Sequence, residues 1–266
     1  MTTIEEKTIS DFGEQWQEFQ DNSGYYSSLK LFRDIVGPLL NTDDLSDKTV
    51  ADVGSGTGRL VNMLAEAGAG HIVAIEPSSS FEILKRNTAK HRNRISYFNI
   101  CGHELNFENH FDYIFSIGVL HHILNPFPCL RACYRSLKKG GRIIIWLYGS
   151  EGNTAYLLGY RSLCRITKLM RHSTLMCFCR LIYPLIMLYG KLTKQIRLPL
   201  RAYFINHYLL LDHHAQLLTL YDQLNPAYTK YYKKTEAVQL LKTTGFQDVG
   251  IYRRHGYSWT VIGTRP

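Results

Sequence analysis

The chain has 266 residues, 45% hydrophobic and 20% charged, a composition too apolar for a disordered chain, too mixed for a fibre and long enough to bury a core without staples. Six cysteines are too few for a disulfide scaffold, and the polar, acidic stretch over residues 1–30 predicts no leader, so a cytoplasmic, reducing setting is expected. The net charge of +9 is concentrated: residues 151–234 hold twelve Lys and Arg against three Asp and Glu, and the rest holds nineteen of each, which weakens a chain-wide nucleic-acid role.

Residues 1–46 read as a helical segment, with Leu29, Leu31, Phe32, Ile35, Val36 and Leu39 recurring near helical spacing. Strands and helices then alternate over residues 47–150. Strands are predicted at Thr49 to Val53, His71 to Ile75, Ile95 to Ile100, Phe111 to Ile117 and Arg142 to Leu147, the last entered by a turn at Gly140 and Gly141. Helices are predicted after the first glycine-rich turn, at Phe81 to Lys90 and at Leu130 to Leu137. This alternation implies an α/β fold with a parallel sheet and right-handed crossovers. Residues 151–228 break the rhythm and read as a basic helical insertion after the fifth strand. Residues 229–266 resume it, with a helix at Thr235 to Thr244 and two strands so tightly joined, Asp248 to Arg253 and Ser258 to Gly263, that they must be antiparallel.

The most informative stretch is Asp52-Val53-Gly54-Ser55-Gly56-Thr57-Gly58-Arg59, between the first strand and first helix, where such sheets bind nucleotides. Three glycines let the backbone turn sharply and approach a ligand. Arg59 stands where a dinucleotide fingerprint needs a small residue, and no Gly-Lys-Ser/Thr makes this a P-loop. Asp52 would repel a pyrophosphate but suits a cationic ligand. Glu76, followed by Pro77 at the end of the second strand, is placed to take both hydroxyls of a ribose.

Asp52 to Leu60, Glu76, Phe111-Asp112-Tyr113-Ile114 and Leu137 to Arg142, in this order and spacing, resemble a class I S-adenosylmethionine-dependent methyltransferase. Val119-Leu120-His121-His122-Ile123 is similar to the ubiquinone/menaquinone-biosynthesis branch, and Phe12-Gly13-Glu14-Gln15-Trp16 and Trp146-Leu147-Tyr148-Gly149 resemble bacterial members of unassigned substrate that are associated with polysaccharide or lipid-linked intermediates. The resemblance covers about residues 47–149 and 229–266. It implies a Rossmann-like seven-stranded sheet with an antiparallel C-terminal hairpin, and S-adenosyl-L-methionine as cofactor. It implies that Gly54, Ser55, Gly56, Thr57 and Gly58 line the methionine and ribose end, with Asp52 near the amino group and Glu76 and Pro77 at the ribose. Cys101 stands where the family has an adenine-binding Asp, which leaves the backbone of Gly102 and His103 for the ring. Ser116 and Ile117 would face the sulfonium.

Methyl transfer from a sulfonium mainly needs alignment of an acceptor lone pair. A base is required where the acceptor carries a proton, and His121 and His122, just past the fourth strand, are the candidates. The alternative for each is a packing role, His122 being the more structural. His255, Tyr228, Tyr231 and Tyr232 are further candidates. Cys177 and Cys179 lack a second pair at zinc spacing, so no metal is expected. In the insertion, apolar residues alternate with Arg and Lys over 157–200. Three readings follow: a substrate lid, an amphipathic contact with an anionic membrane surface, and an RNA contact. Its longest uncharged run, Leu181 to Gly190, is ten residues and holds Pro184, so it is expected to lie on a membrane rather than span one. The expected activity is methyl transfer to a small-molecule or lipid-linked acceptor, nucleic acid being the lesser partner. The alternative is a wobble-base tRNA-modifying enzyme, and a binding module that has lost activity stands third.

Overall fold

The computed structural model describes residues 3–266, apart from the side chains of residues 155 and 161. Seven strands follow the predicted runs: β1 (Thr49–Val53), β2 (His71–Ile75), β3 (Ile95–Phe98), β4 (Phe111–Ile117), β5 (Leu137–Tyr148), β6 (Gln247–Arg254) and β7 (Ser258–Thr264). They form one sheet in the order β3-β2-β1-β4-β5-β7-β6. The first five strands pair in parallel, and β7 lies antiparallel between β5 and β6. The chain moves outward from β1 to β3 and then returns to the other side of β1 with β4. The carboxyl ends of β1 and β4 therefore flank the point where strand order reverses, the usual ligand crevice of such sheets.

The helices are α1 (Ile4–Glu18), α2 (Leu29–Val36), α3 (Arg59–Glu66), α4 (Phe81–Asn87), α5 (Phe127–Ser136), α6 (Thr154–Thr167), α7 (His172–Gln195), α8 (Arg201–Asn206), α9 (His213–Leu224) and α10 (Lys234–Thr244). Thr3 starts α1 with a capping box, its hydroxyl taking the Glu6 N–H and Glu6 taking the Thr3 N–H. Alternate strand residues divide between two cores, as the two-residue period requires. Ala51, Val53, Ile143 and Ile145 pack with Leu130 of α5 and Leu241 of α10. Val50, Ile72, Phe115 and Ile144 pack on the other face with Phe32 of α2 and Leu64 of α3.

Two local readings change. The expected turn at Gly140 and Gly141 is a bulge inside β5: Leu137 pairs with Phe111 and Arg142 with Tyr113, so residues 138–141 loop out opposite a single residue, and Gly140 takes φ 76°. The insertion's uncharged run belongs to α7, one continuous 24-residue helix with Pro184 inside it. With mean hydropathy 1.5 in its most apolar stretch, α7 is by length and composition alone long enough to cross a bilayer, which corrects the shorter reading. Its Leu175, Met176 and Cys179 pack with Leu217, Leu218 and Tyr221 of α9 in a third core, above the sheet's carboxyl edge.

Candidate functional site

The glycine loop is shaped by its own backbone. Gly54 has φ 83° and Gly56 φ 54°, in the left-handed region that only glycine enters without strain. A Cβ on Gly54 would sit 2.4 Å from Val119 Cγ2, and one on Gly56 would press on the Trp16 ring at 3.3 Å. The N–H groups of Gly54 and Ser55 both donate to the Ile75 carbonyl, at 2.8 and 2.9 Å, which folds the loop against the end of β2. Glu76 completes this clamp. Its Oε2 accepts the Gly56 N–H at 2.7 Å and its Oε1 the Ser78 N–H at 3.0 Å. Each oxygen keeps a further lone pair, so the clamp leaves Glu76 able to accept from a ribose hydroxyl.

Asp52 is 1% exposed and its Oδ2 has no hydrogen-bond partner among the described residues. Burial, above all, raises its pKa to about 7, with the Glu76 charge adding to the rise. A buried carboxylate oxygen without a donor fits an ammonium group, and the residues present thus fit the amino-acid end of S-adenosylmethionine.

Above the loop lies a cavity of about 640 Å³. Its sheet side brings together the predicted Asp52, Gly54, Ser55, Gly56, Thr57, Glu76, Pro77, Gly102, Ile117 and His122. Gly58, His103, Ser116 and His121 lie off its lining. Gly58 instead starts α3, its missing Cβ making room for Thr88. His103 turns to Glu5, 3.9 Å away, and Ser116 donates to the Val53 carbonyl. Cys101 also lines the cavity, its thiol pushed up to about 11, chiefly by burial.

The two histidines differ. His121 is wholly buried against Tyr148, and its ring nitrogens make no hydrogen bond among the described residues. Burial first, then His122, hold its pKa well below 6.5, so it is neutral. His122 reaches the cavity. Its Nδ1 lies 3.0 Å from the Tyr228 carbonyl, which can only accept, so Nδ1 carries the proton and Nε2 keeps a lone pair. Burial lowers its pKa too. Of the further candidates, Tyr231 lines the cavity; His255 pairs with Asp34 at 2.8 Å, and Tyr232 is packed in the sheet core.

Sequence reasoning missed much of the roof. Phe12 and Trp16 of α1, Tyr156 and Tyr160 of α6, and Tyr203 and Phe204 of α8 supply apolar walls. A polar belt crosses them: Tyr148 donates to Asp222 Oδ2 at 3.0 Å, Gln15 donates to Asp222 Oδ1 at 3.0 Å, and Gln223 donates to the Tyr148 hydroxyl at 2.6 Å. Arg254 also lines the cavity at 2% exposure, held by Asp34 at 2.6 Å, by His207 Nδ1 at 3.2 Å and by the Tyr257 hydroxyl. No sequence motif announces these partners, which lie up to 220 positions apart. The aromatic pair in Phe12-Gly13-Glu14-Gln15-Trp16 was the one available signal for α1.

Residues 51–145 match the family described as a methyltransferase domain. A tRNA U34 carboxymethyltransferase of Helicobacter acinonychis (strain Sheeba) is 35% identical over 111 residues, 40% of this chain and 42% of that protein. One of Shewanella sediminis (strain HAW-EB3) is 36% identical over 106 residues, 38% of this chain and 32% of that protein. The chain thus spans less than half the length of these curated relatives. Among solved structures, magnesium protoporphyrin IX methyltransferase from Synechocystis PCC 6803 with bound SAH superposes with a TM-score of 0.57 at 14% identity, over 99% of this chain and 98% of that one. Human N-acetylserotonin methyltransferase in complex with SAM gives 0.54 at 14%, over 96% and 56%. At such identities these two speak for the fold. The relatives' names overturn the expectation of a small-molecule or lipid-linked acceptor, with membrane contact through 157–200 and nucleic acid less favoured. The signal available for the correction was the confined charge itself, because a cationic surplus held in one segment, residues 151–234, is enough to meet a phosphate backbone.

Proposed function

We propose that the protein, whose residues 51–145 match a methyltransferase domain, is an S-adenosylmethionine-dependent enzyme that modifies the wobble uridine of a tRNA. The observation that carries this reading is the likeness, at about a third identity over 106–111 residues, to proteins named for tRNA U34. Asp52, Gly54, Ser55, Gly56 and Thr57 hold the methionine end of the cofactor, Glu76 and Pro77 the ribose, and the Gly102 backbone the adenine side. Bound S-adenosylmethionine supplies a carbon made electrophilic by its sulfonium. Ile117 and the aromatic roof keep water from that carbon. His122, neutral and with its Nε2 lone pair unused by the backbone, takes a proton from the acceptor as it attacks. Residues 1–46 and 151–228 act as a cap over a core made of 47–150 and 229–266. With tRNA as acceptor, the expected setting stays cytoplasmic.

The test is incubation with S-adenosylmethionine and unmodified tRNA, digestion to nucleosides and mass spectrometry. The expected product is a methylated uridine that maps to position 34. A protein that binds the cofactor yet leaves every tRNA nucleoside unchanged overturns the reading.

A further inference from the structure

A second concavity, of about 470 Å³, opens beside the main one. One wall is α6, through Tyr160, Cys164, Arg165 and Lys168; the other is the segment Tyr228, Thr229, Lys230 and Tyr231. Tyr160 and Tyr231 line both concavities, and their rings meet edge to face at 5.4 Å. Two tyrosine side chains are therefore the partition between groove and cavity.

The groove's chemistry is one-sided. Three of its lining residues are cations and none is an acid. Arg165 is exposed and makes no ion pair among the described residues. Lys168 donates to the Ala227 carbonyl at 2.8 Å, which leaves two of its three protons for another acceptor. Lys230 lies over the Tyr232 ring at 4.5 Å and shares Glu236 at 3.3 Å, so its charge is partly offset. Cations set between tyrosines suit a single-stranded nucleic acid, whose phosphates need charge and whose bases need a ring to stack on. Duplex offers the charge but keeps its bases stacked away.

We propose that this groove holds a single-stranded RNA segment, with phosphates on Arg165, Lys168 and Lys230 and a base against Tyr228, so that the neighbouring nucleotide enters the cavity past Tyr160 and Tyr231. The assignment rests on the tRNA reading above and names its entry site.

The experiment measures binding of the full chain to an unmodified tRNA transcript by fluorescence anisotropy over a range of salt, with cofactor affinity as the check on folding. The double variant R165Q/K168Q should bind cofactor as the wild type does, bind tRNA more weakly, and show a salt slope shallower by about 1.4, at roughly 0.7 per lost phosphate contact on a single strand. The variant K191Q/K194Q removes the same charge from the exposed C-terminal end of α7, outside the groove, and should keep the wild-type slope. Tyr228→Ala should raise the tRNA Kd about five- to a hundredfold with the slope unchanged. Equal slopes for R165Q/K168Q and wild type, or an equal loss in K191Q/K194Q, overturn the groove while leaving the tRNA reading intact. No tRNA binding and no modification by the wild type overturns the tRNA reading itself.

Discussion

Asp52 in β1 and Glu76 just past β2 stand beside the same glycine loop and carry opposite burdens. Asp52 is kept in a site where its charge is disfavoured, and its raised pKa of about 7 follows first from burial. A cationic ligand must meet the ionised form, so binding at lower pH has to expel a proton. Calorimetry should find S-adenosylmethionine affinity falling as pH drops below about 7, by up to about tenfold per pH unit, with Asp52→Asn weaker throughout and lacking this pH dependence. Glu76 has a double duty, because its two oxygens already hold the Gly56 and Ser78 N–H groups. Glu76→Ala should therefore weaken cofactor binding by about 1.5–3 kcal/mol and also lower the melting temperature of the ligand-free protein. A loss of affinity with unchanged stability would deny the clamp its structural part.

The elements that frame the cavity are pinned by ion pairs and hydrogen bonds between distant segments. Asp34 of α2 reaches Arg254 at the end of β6, with the guanidinium 2% exposed and the carboxylate 21% exposed. The Arg254 and His255 partners depress the Asp34 pKa against the opposing effect of burial. Removing Asp34 leaves a buried cation without its counter-charge, and such a loss costs about 3–5 kcal/mol where both partners are buried. Because Asp34 is partly wet, Asp34→Ala should cost about 3 kcal/mol in urea denaturation. Pairing it with Arg254→Met should return part of that loss. Helix α7 shows the complementary case. Leu175, Met176 and Cys179 near its start and Gly190 and Thr193 near its end are buried, while Leu181 and Leu185 stay 74% and 66% exposed, so the helix is held along one face and bare along the other.

Across the whole molecule, buried titratable groups set the pH range of the fold. Burial lowers the pKa of His121, His122 and His207 below the ordinary 6.5. The unfolded chain takes protons that these three refuse, so stability present above about pH 6.5 is lost as pH falls through and below it. Asp52 works the other way, its raised pKa favouring the folded state as pH drops from about 7 toward the unfolded value near 3.9. Burial lowers His71 and His91 in the same direction, so five groups against one leave the acid side destabilised. Urea midpoints should fall between about pH 7 and pH 5.5, and His207→Gln should flatten the decline. A midpoint that rises on acidification would mean these histidines are protonated in the fold.

Residues that act through their neighbours were legible in the sequence. The alternation of apolar runs and turns placed β1 to β4, because strand period and helix period are properties of adjacent residues. Glycines at 54 and 56 announced a backbone that other residues enter only with strain, and Glu76 at a strand end announced a carboxylate at the crevice. Where local signals competed, the tertiary structure decided: Gly140 and Gly141 read as a turn, yet pairing of Leu137 with Phe111 and Arg142 with Tyr113 draws them into a bulge. The roof was illegible for a related reason. Trp16 meets Gly56, Asp34 meets Arg254, and Gln15 and Tyr148 meet on Asp222 only after the cap closes on the sheet. Burial then assigns ionic states that composition cannot, leaving Asp52 near neutrality and telling His121, sealed behind Tyr148, from His122, open to the cavity. Periodicity and φ are set along the chain, whereas cavities, partners and pKa values are set by contacts across it.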